Sequence, residues 1–264
     1  MTEEGSRPLS DDEDSRMADR HFVVLDDHDT LVAAAAERIA SLLERVDEHA
    51  AVCLTGGSTI VPVYRRLAAR PLREKIPIGR IDWFFGDERF VPAGHGLSNA
   101  VQAREVLLDP LGVPPARIHA MPTDAPDPDA AARRYEGALM AHYGADRFDR
   151  ARPLFDLVLL GMGADGHAAS LFPGADGLDE RERWVIGVDM AGQPPLVPRV
   201  TLTLPALASS RAMLFIVSGR DKRAALSRIL AGDDLPAARA RSAGETLWLV
   251  DRAAAPDTLT KDLS

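Results

Sequence analysis

The sequence has one cysteine, no long apolar run and no excess of basic charge, and each shortage removes a class of protein. With Cys53 alone, no disulfide can close within the chain. Its place in the apolar run from Ala51 to Leu54 reads as a buried, inert thiol, since no His stands near it in sequence to activate it as a nucleophile. No segment approaches the ~20 consecutive apolar residues that a spanning helix needs, so no membrane contact and a cytoplasmic location are expected. A formal net charge of -9 opposes nucleic acid as a partner, because binding a phosphate backbone relies on clustered Lys and Arg that release counterions. Residues 1–20 lack the basic start and apolar stretch of a secretory signal; with Asp11-Asp12-Glu13-Asp14 they read as a disordered acidic tail.

What is present is enough apolar material, 46% of 264 residues, to bury a full core. Runs of strand character recur at 21–25, 51–55, 81–85, 155–160, 184–188, 212–218 and 246–250, several without the alternation of a half-exposed strand. Between them, apolar residues at three and four spacing predict helices at 30–46, 60–69, 99–107, 129–143 and 221–230. Alternating strands and helices imply an α/β protein with a mainly parallel sheet covered on both faces, here with a small appended lobe. The domain is expected over 21–251, with 252–264 as a C-terminal tail. In such folds ligands bind beyond the carboxyl ends of the strands, so the chemistry should fall just after strands.

Five segments are candidates. Thr55-Gly56-Gly57-Ser58-Thr59 follows a strand and opens a helix. Its glycines would let backbone N–H groups approach a phosphate, although a plain strand-to-helix turn capped by Ser58 or Thr59 accounts for the segment equally well. It lacks the Lys of a nucleotide P-loop, which favours a simple sugar phosphate over ATP. Gly86-Asp87-Glu88-Arg89 puts charge at the end of an apolar strand. Arg89 there is either an anion clamp or half of a local salt bridge. Pro198-Arg199 and Ser218-Gly219-Arg220-Asp221-Lys222 offer further cations, each open to reading as ordinary surface charge.

The fifth segment is the most informative. After the strand Phe155 to Leu160, the turn Gly161-Met162-Gly163-Ala164-Asp165-Gly166 delivers His167. Histidine exchanges protons near neutral pH, and Asp165 is placed to orient it or balance its charge. The same glycines match G-x-G-x-x-G, with Asp189 at the distance of a ribose-binding acid. Pro173-Gly174, however, interrupts the helix a dinucleotide fold needs directly afterwards. Asp165 and His167 without an evident third ligand make a metal centre a poor reading.

Taken in order, GGST, GDERFVP followed by LSN, FDLVLLGMGADGHAASLFPG, PRVTLTLP and SGRDKRAAL resemble the motif series of the 6-phosphogluconolactonase family. The resemblance covers most of residues 21–251. It implies a three-layer α/β/α domain that hydrolyses 6-phospho-D-glucono-1,5-lactone to 6-phosphogluconate, acting as a monomer or homodimer with no metal or organic cofactor. By the same resemblance His167 is the general base, Asp165 its partner, and Gly56, Gly57, Ser58, Arg89, Asn99, Arg199 and Lys222 surround the small-molecule substrate's phosphate and acidic end. Ser170-Leu171-Phe172-Pro173 is typical of lactonases, as against the related glucosamine-6-phosphate deaminases. A regulator's effector-binding domain would need a DNA-binding module, for which the tail is too short. Departures from the family pattern are Ile60-Val61 where Thr-Pro is usual, Leu97 before Ser98-Asn99, and Ala168 after the motif His.

Overall fold

The computed structural model describes residues 20–260. The acidic tail therefore lies outside the described residues, apart from Arg20, which already belongs to the first strand. The chain runs through β1 (Arg20–Leu25), α1 (His28–Leu43), β2 (Ala50–Leu54), α2 (Ile60–Ala68), β3 (Ile81–Phe85), β4 (Asp87–Arg89) and α3 (Asn99–Ala103). It continues through α4 (Pro128–Tyr143), β5 (Phe155–Leu160), β6 (Val185–Val188), β7 (Arg199–Leu202), α5 (Leu204–Ala208) and β8 (Ser210–Val217). The last elements are α6 (Arg223–Leu230), α7 (Pro236–Arg239), β9 (Glu245–Asp251) and α8 (Asp257–Thr260).

Six strands form one parallel sheet in the order β1-β9-β8-β5-β2-β3. The reason is legible in β2, whose five residues are all buried: a strand covered on both faces needs apolar residues at every position. Each fully buried Leu, Val or Phe adds about 1.5–3 kcal/mol of hydrophobic stabilisation. Helices flank the sheet. At the start of α1, Asp27 Oδ1 accepts from Thr30 N at 2.8 Å while Thr30 Oγ1 accepts from Asp27 N at 3.0 Å, so two otherwise orphaned donors are satisfied. The apolar stripe of α1, with Leu31, Ala35, Ile39 and Leu43, then faces the core.

The order matters for function. From β2 the chain moves outward to β3, then returns to the other side of β2 as β5 and proceeds through β8 to β9. The gap between β2 and β5 is thus the point where winding reverses, and loops leaving the carboxyl ends of adjacent strands diverge there to leave a crevice.

Three differences from the sequence reading have physical causes. Residues 184–188, expected among the strands without a sheet assigned to them, place β6 in a second, antiparallel sheet of order β4-β7-β6. This small sheet is the appended lobe, and α4 packs on it so closely that a Cβ on Gly187 would lie 2.7 Å from Asp129 N. The helix expected at 99–107 is α3 running into a π-helical turn over Arg104–Leu108 and a last turn Asp109–Leu111, ended by Gly112 at φ 76°. The tail expected from residue 252 is packed through Thr260: Ala254 and Ala255 are fully buried, and Ala254 N donates to Asp251 Oδ1 at 2.8 Å. Among the described residues no helix is long and apolar enough to cross a membrane.

Candidate functional site

The loops after β2, β3, β5 and β8 enclose a cavity of about 410 Å³ at the reversal point. Gly56, Gly57, Ser58, Arg89, Asn99, His167, Arg199 and Lys222 all line it. Asp165 does not; it stands behind His167.

The turn that delivers His167 is held by short-range bonds. Gly163 N donates to His167 O at 2.9 Å and Gly166 N to Gly163 O at 3.0 Å, with Gly166 at φ 86°. His167 Nδ1 lies 2.6 Å from Asp165 Oδ1, and His167 N donates to the same oxygen at 3.1 Å. Burial works to raise the Asp165 carboxyl. The hydrogen bonds and charge of His167 outweigh it and leave the carboxyl below its ordinary value. An ionised carboxylate only accepts, so it fixes the proton on Nδ1 and leaves Nε2 as the basic nitrogen. Phe172 packs against the imidazole, its centroid 4.8 Å away, and limits its rotation.

Opposite stands a buried polar cluster. Asp87 and Glu88 on β4 are 6% and 1% exposed. Glu88 accepts from Arg89 N, Asn99 N and Ala100 N at 2.7, 2.7 and 2.8 Å, and from Ser98 Oγ at 2.8 Å, so its carboxylate caps the start of α3. Burial pushes the Glu88 carboxyl up, and those donors work against the shift. Asp87 Oδ2 accepts from Ser170 Oγ at 2.6 Å, and Asn99 Nδ2 donates to the Asp87 carbonyl at 2.9 Å. Arg89 forms no ion pair with either acid; its Nη1 donates to the Leu97 carbonyl at 2.7 Å. Arg199, across the small sheet from Arg89, donates to the Pro195 and Val197 carbonyls at 2.8 and 3.2 Å. Burial pulls its guanidinium below its ordinary value while the charge of Asp87 supports it.

The loop after β2 and the turn after β8 complete the lining of the cavity. Gly57 takes φ 106°, and its N–H is held by Gln102 Oε1 at 3.2 Å. A Cβ on Gly56 would stand 1.8 Å from Asn99 Oδ1, so a side chain there would displace the amide. Thr59 makes no side-chain cap to α2, which sets aside Thr59 as the cap in the plain turn reading of this loop. Lys222 faces the loop from beyond β8, paired with Asp221 at 2.9 Å. Its turn is pinned by Asp251, which accepts from Ser218 Oγ at 2.5 Å and from Gly219 N at 3.2 Å; His28 Nδ1 lies 3.0 Å from the same hydroxyl.

Sequence reasoning did not place Asp87, Ser170, Asp251 or His28 in the site. Their partners lie 12 to 190 residues away, and no local pattern announces such pairings. Cys53 is buried and its thiol is pushed up by that burial, as befits a residue outside the chemistry. The dinucleotide reading fails locally: after Gly166 the chain makes a short Ala168–Leu171 bridge instead of a helix.

A cleft at the winding reversal of a parallel sheet, lined by an aspartate-held imidazole, the half-buried Arg89, the buried Arg199 and a glycine loop, defines an α/β enzyme for a small anionic substrate. The chain belongs to the glucosamine-6-phosphate isomerases/6-phosphogluconolactonase family, whose pattern matches residues 26–248. It is 41% identical over 246 residues to the 6-phosphogluconolactonase of Streptomyces coelicolor, covering 89% of this chain and 93% of that one. It is 39% identical over 242 residues to that of Mycobacterium leprae, covering 88% and 96%. The crystal structure of 6-phosphogluconolactonase from Thermotoga maritima superposes with a TM-score of 0.75 at 34% identity, covering 88% of this chain and 100% of that one.

Proposed function

We propose that the protein hydrolyses 6-phospho-D-glucono-1,5-lactone to 6-phosphogluconate with His167 as general base. The observation that carries the proposal is the 2.6 Å contact between Asp165 Oδ1 and His167 Nδ1, in an imidazole that lines the cavity. With Nδ1 protonated, Nε2 takes a proton from water as the water oxygen bonds to C1 of the lactone. The carbonyl electrons move onto oxygen, and Arg89 or the backbone of Gly161 to Gly163 supplies donors to that charge. On collapse the C1 to ring-oxygen bond breaks, and His167 returns the proton to the departing oxygen. Asp165 stays ionised throughout and stabilises the imidazolium.

The phosphate is read at the other end, by Gly57, Ser58 and Lys222, where backbone N–H groups and an ammonium meet. The family likeness and the 39 to 41% identity to lactonases support this reaction over the deaminase chemistry the family also includes. We place the activity in the cytoplasm, in a single catalytic domain needing no metal or organic cofactor.

The test is the disappearance of freshly made lactone, corrected for spontaneous hydrolysis, by wild type and His167→Ala. The expected loss is roughly 100-fold or more, the scale of a missing acid/base group. Equal rates would make His167 structural. A folded wild type with no activity above background would overturn the lactonase reading itself.

A further inference from the structure

Lys222 stands on a turn whose supports lie outside the cavity. Strand β9 runs between β1 and β8, with Leu25 opposite Asp251 and Val217 opposite Val250. The carboxyl ends of the three strands therefore lie side by side. This brings His28 at the start of α1, Asp251 at the end of β9 and Ser218 after β8 into contact, although 190 positions separate His28 from Ser218. Ser218, Asp221 and Lys222 line the cavity, whereas His28 and Asp251 do not.

The acid fixes the direction of the protons. Ser218 Oγ donates to Asp251 Oδ2 at 2.5 Å, and Gly219 N and Ala254 N donate to the same carboxylate at 3.2 and 2.8 Å. A hydroxyl has a single proton. Towards His28 Nδ1, 3.0 Å away, the Ser218 oxygen can thus only accept, and the imidazole donates. A nucleophilic trio would need the reverse, with the imidazole drawing the serine proton and the acid behind the imidazole. Here the serine is clamped from two sides instead. The clamp sets the path of the next residues: Gly219 at φ 104°, then a turn closed by Lys222 N on the Gly219 carbonyl at 3.0 Å. His28 is itself the first residue of a helix capped by Asp27 and Thr30, so it reaches Ser218 from a fixed base.

We propose that His28 is a positioning residue for phosphate recognition, acting through Ser218 to hold the turn that presents Lys222 to the cavity. The proposal rests on the lactonase reading, in which Lys222 meets the substrate's phosphate. A lysine ammonium rides on a flexible four-carbon stem, so its aim depends on the backbone that carries it. Loss of the His28 donor loosens that backbone and weakens the hold on the phosphate, while His167, carried by the separate turn after β5, keeps its alignment with Asp165.

The test is the rate on freshly made 6-phosphogluconolactone and on the lactone without its phosphate, for wild type, His28→Ala, His28→Asn and Lys222→Ala. His28→Ala should raise KM for the phosphorylated lactone about three- to tenfold, the range of one neutral hydrogen bond. Its kcat should stay within about twofold, and the lactone without phosphate should be hydrolysed as by wild type. His28→Asn, whose amide N–H stands near the place of Nδ1, should recover most of the KM. An unchanged KM in His28→Ala, a loss shared equally by kcat and by both lactones, or an asparagine variant as poor as the alanine one overturns the role of His28. A raised KM in Lys222→Ala would then still uphold the phosphate reading. A folded wild type without activity above background overturns the lactonase reading, and this proposal with it.

Discussion

A carbon atom placed on the α carbon of Gly163 would stand 2.0 Å from Nδ1 of His167 and 2.7 Å from Oδ1 of Asp165. The glycine is therefore spatial: its missing side chain is the room in which the carboxylate and imidazole meet. Gly163→Ala should push the imidazole by about 1 Å and lower kcat/KM roughly 100-fold, since misplacement on that scale is enough to lose alignment. Stability should fall by only about 1–3 kcal/mol, the usual cost of overpacking. Kinetics beside urea unfolding separate the two; a variant with wild-type kcat/KM would show that the pair tolerates displacement.

Asp165 makes a prediction with a sign. Its carboxyl sits below the ordinary value of 3.8. A depressed carboxylate stabilises the folded state above its unfolded pKa, and this contribution disappears as pH falls through the folded value. Asp165→Asn lacks that contribution. The stability gap between wild type and variant should be full at pH 6 and close as pH drops below about 4. Catalysis at neutral pH should fall about 100-fold or more, because an amide does not hold the proton on Nδ1 as a carboxylate does. Denaturant titrations from pH 3 to 6 check the first claim; a gap that stays constant contradicts the depressed pKa.

How much of this was legible follows from where each signal resides. The strands of the large sheet announce themselves because burial on both faces forces continuous apolar runs, as in β2 and in Leu157 to Leu160 of β5. The turn before His167 is legible because its glycines, Asp165 and the imidazole lie within seven residues. β4 is not: Asp87–Arg89 is three residues long and wholly charged, too short for any periodicity, and exists through pairing with β7 more than a hundred residues later. Asp251 likewise falls one residue past the strand expected at 246–250, and only its contact with Ser218 reveals that it holds the Lys222 turn. Residues that line the cavity thus cluster in local motifs, whereas residues that hold them are scattered.

Glu88 is the strongest case among the scattered ones. An amide at this position offers one accepting oxygen where three N–H groups and a hydroxyl now converge, and its NH₂ would face donors. Glu88→Gln should destabilise the fold by about 1–3 kcal/mol, the cost of buried donors left unsatisfied. The pH dependence runs opposite to that of Asp165. Because burial raises the Glu88 carboxyl above its ordinary 4.5, its contribution is full below the unfolded value and is lost as pH rises through the folded one. Glu88→Gln should flatten the fall in stability above pH 4.5, which thermal melts at several pH values would show; an unchanged slope would assign that fall to other groups.

Lys222 separates binding from chemistry. Its ammonium is engaged with Asp221 at 2.9 Å and lines the same cavity as the glycine loop, which offers backbone donors. A charged hydrogen bond to a phosphate contributes about 1.5–3 kcal/mol, which corresponds to a change of about 10- to 100-fold in affinity. Lys222→Ala should therefore raise KM for the phosphorylated lactone by that factor and change kcat much less, the signature of lost uniform binding. The lactone without its phosphate, a poorer substrate from the outset, should be hydrolysed equally well by both proteins, since it has nothing to offer the ammonium. Equal losses on both lactones would move Lys222 from phosphate recognition to support of the β8 turn, and would leave Ser58 and the other N–H groups of the glycine loop to bind the phosphate alone.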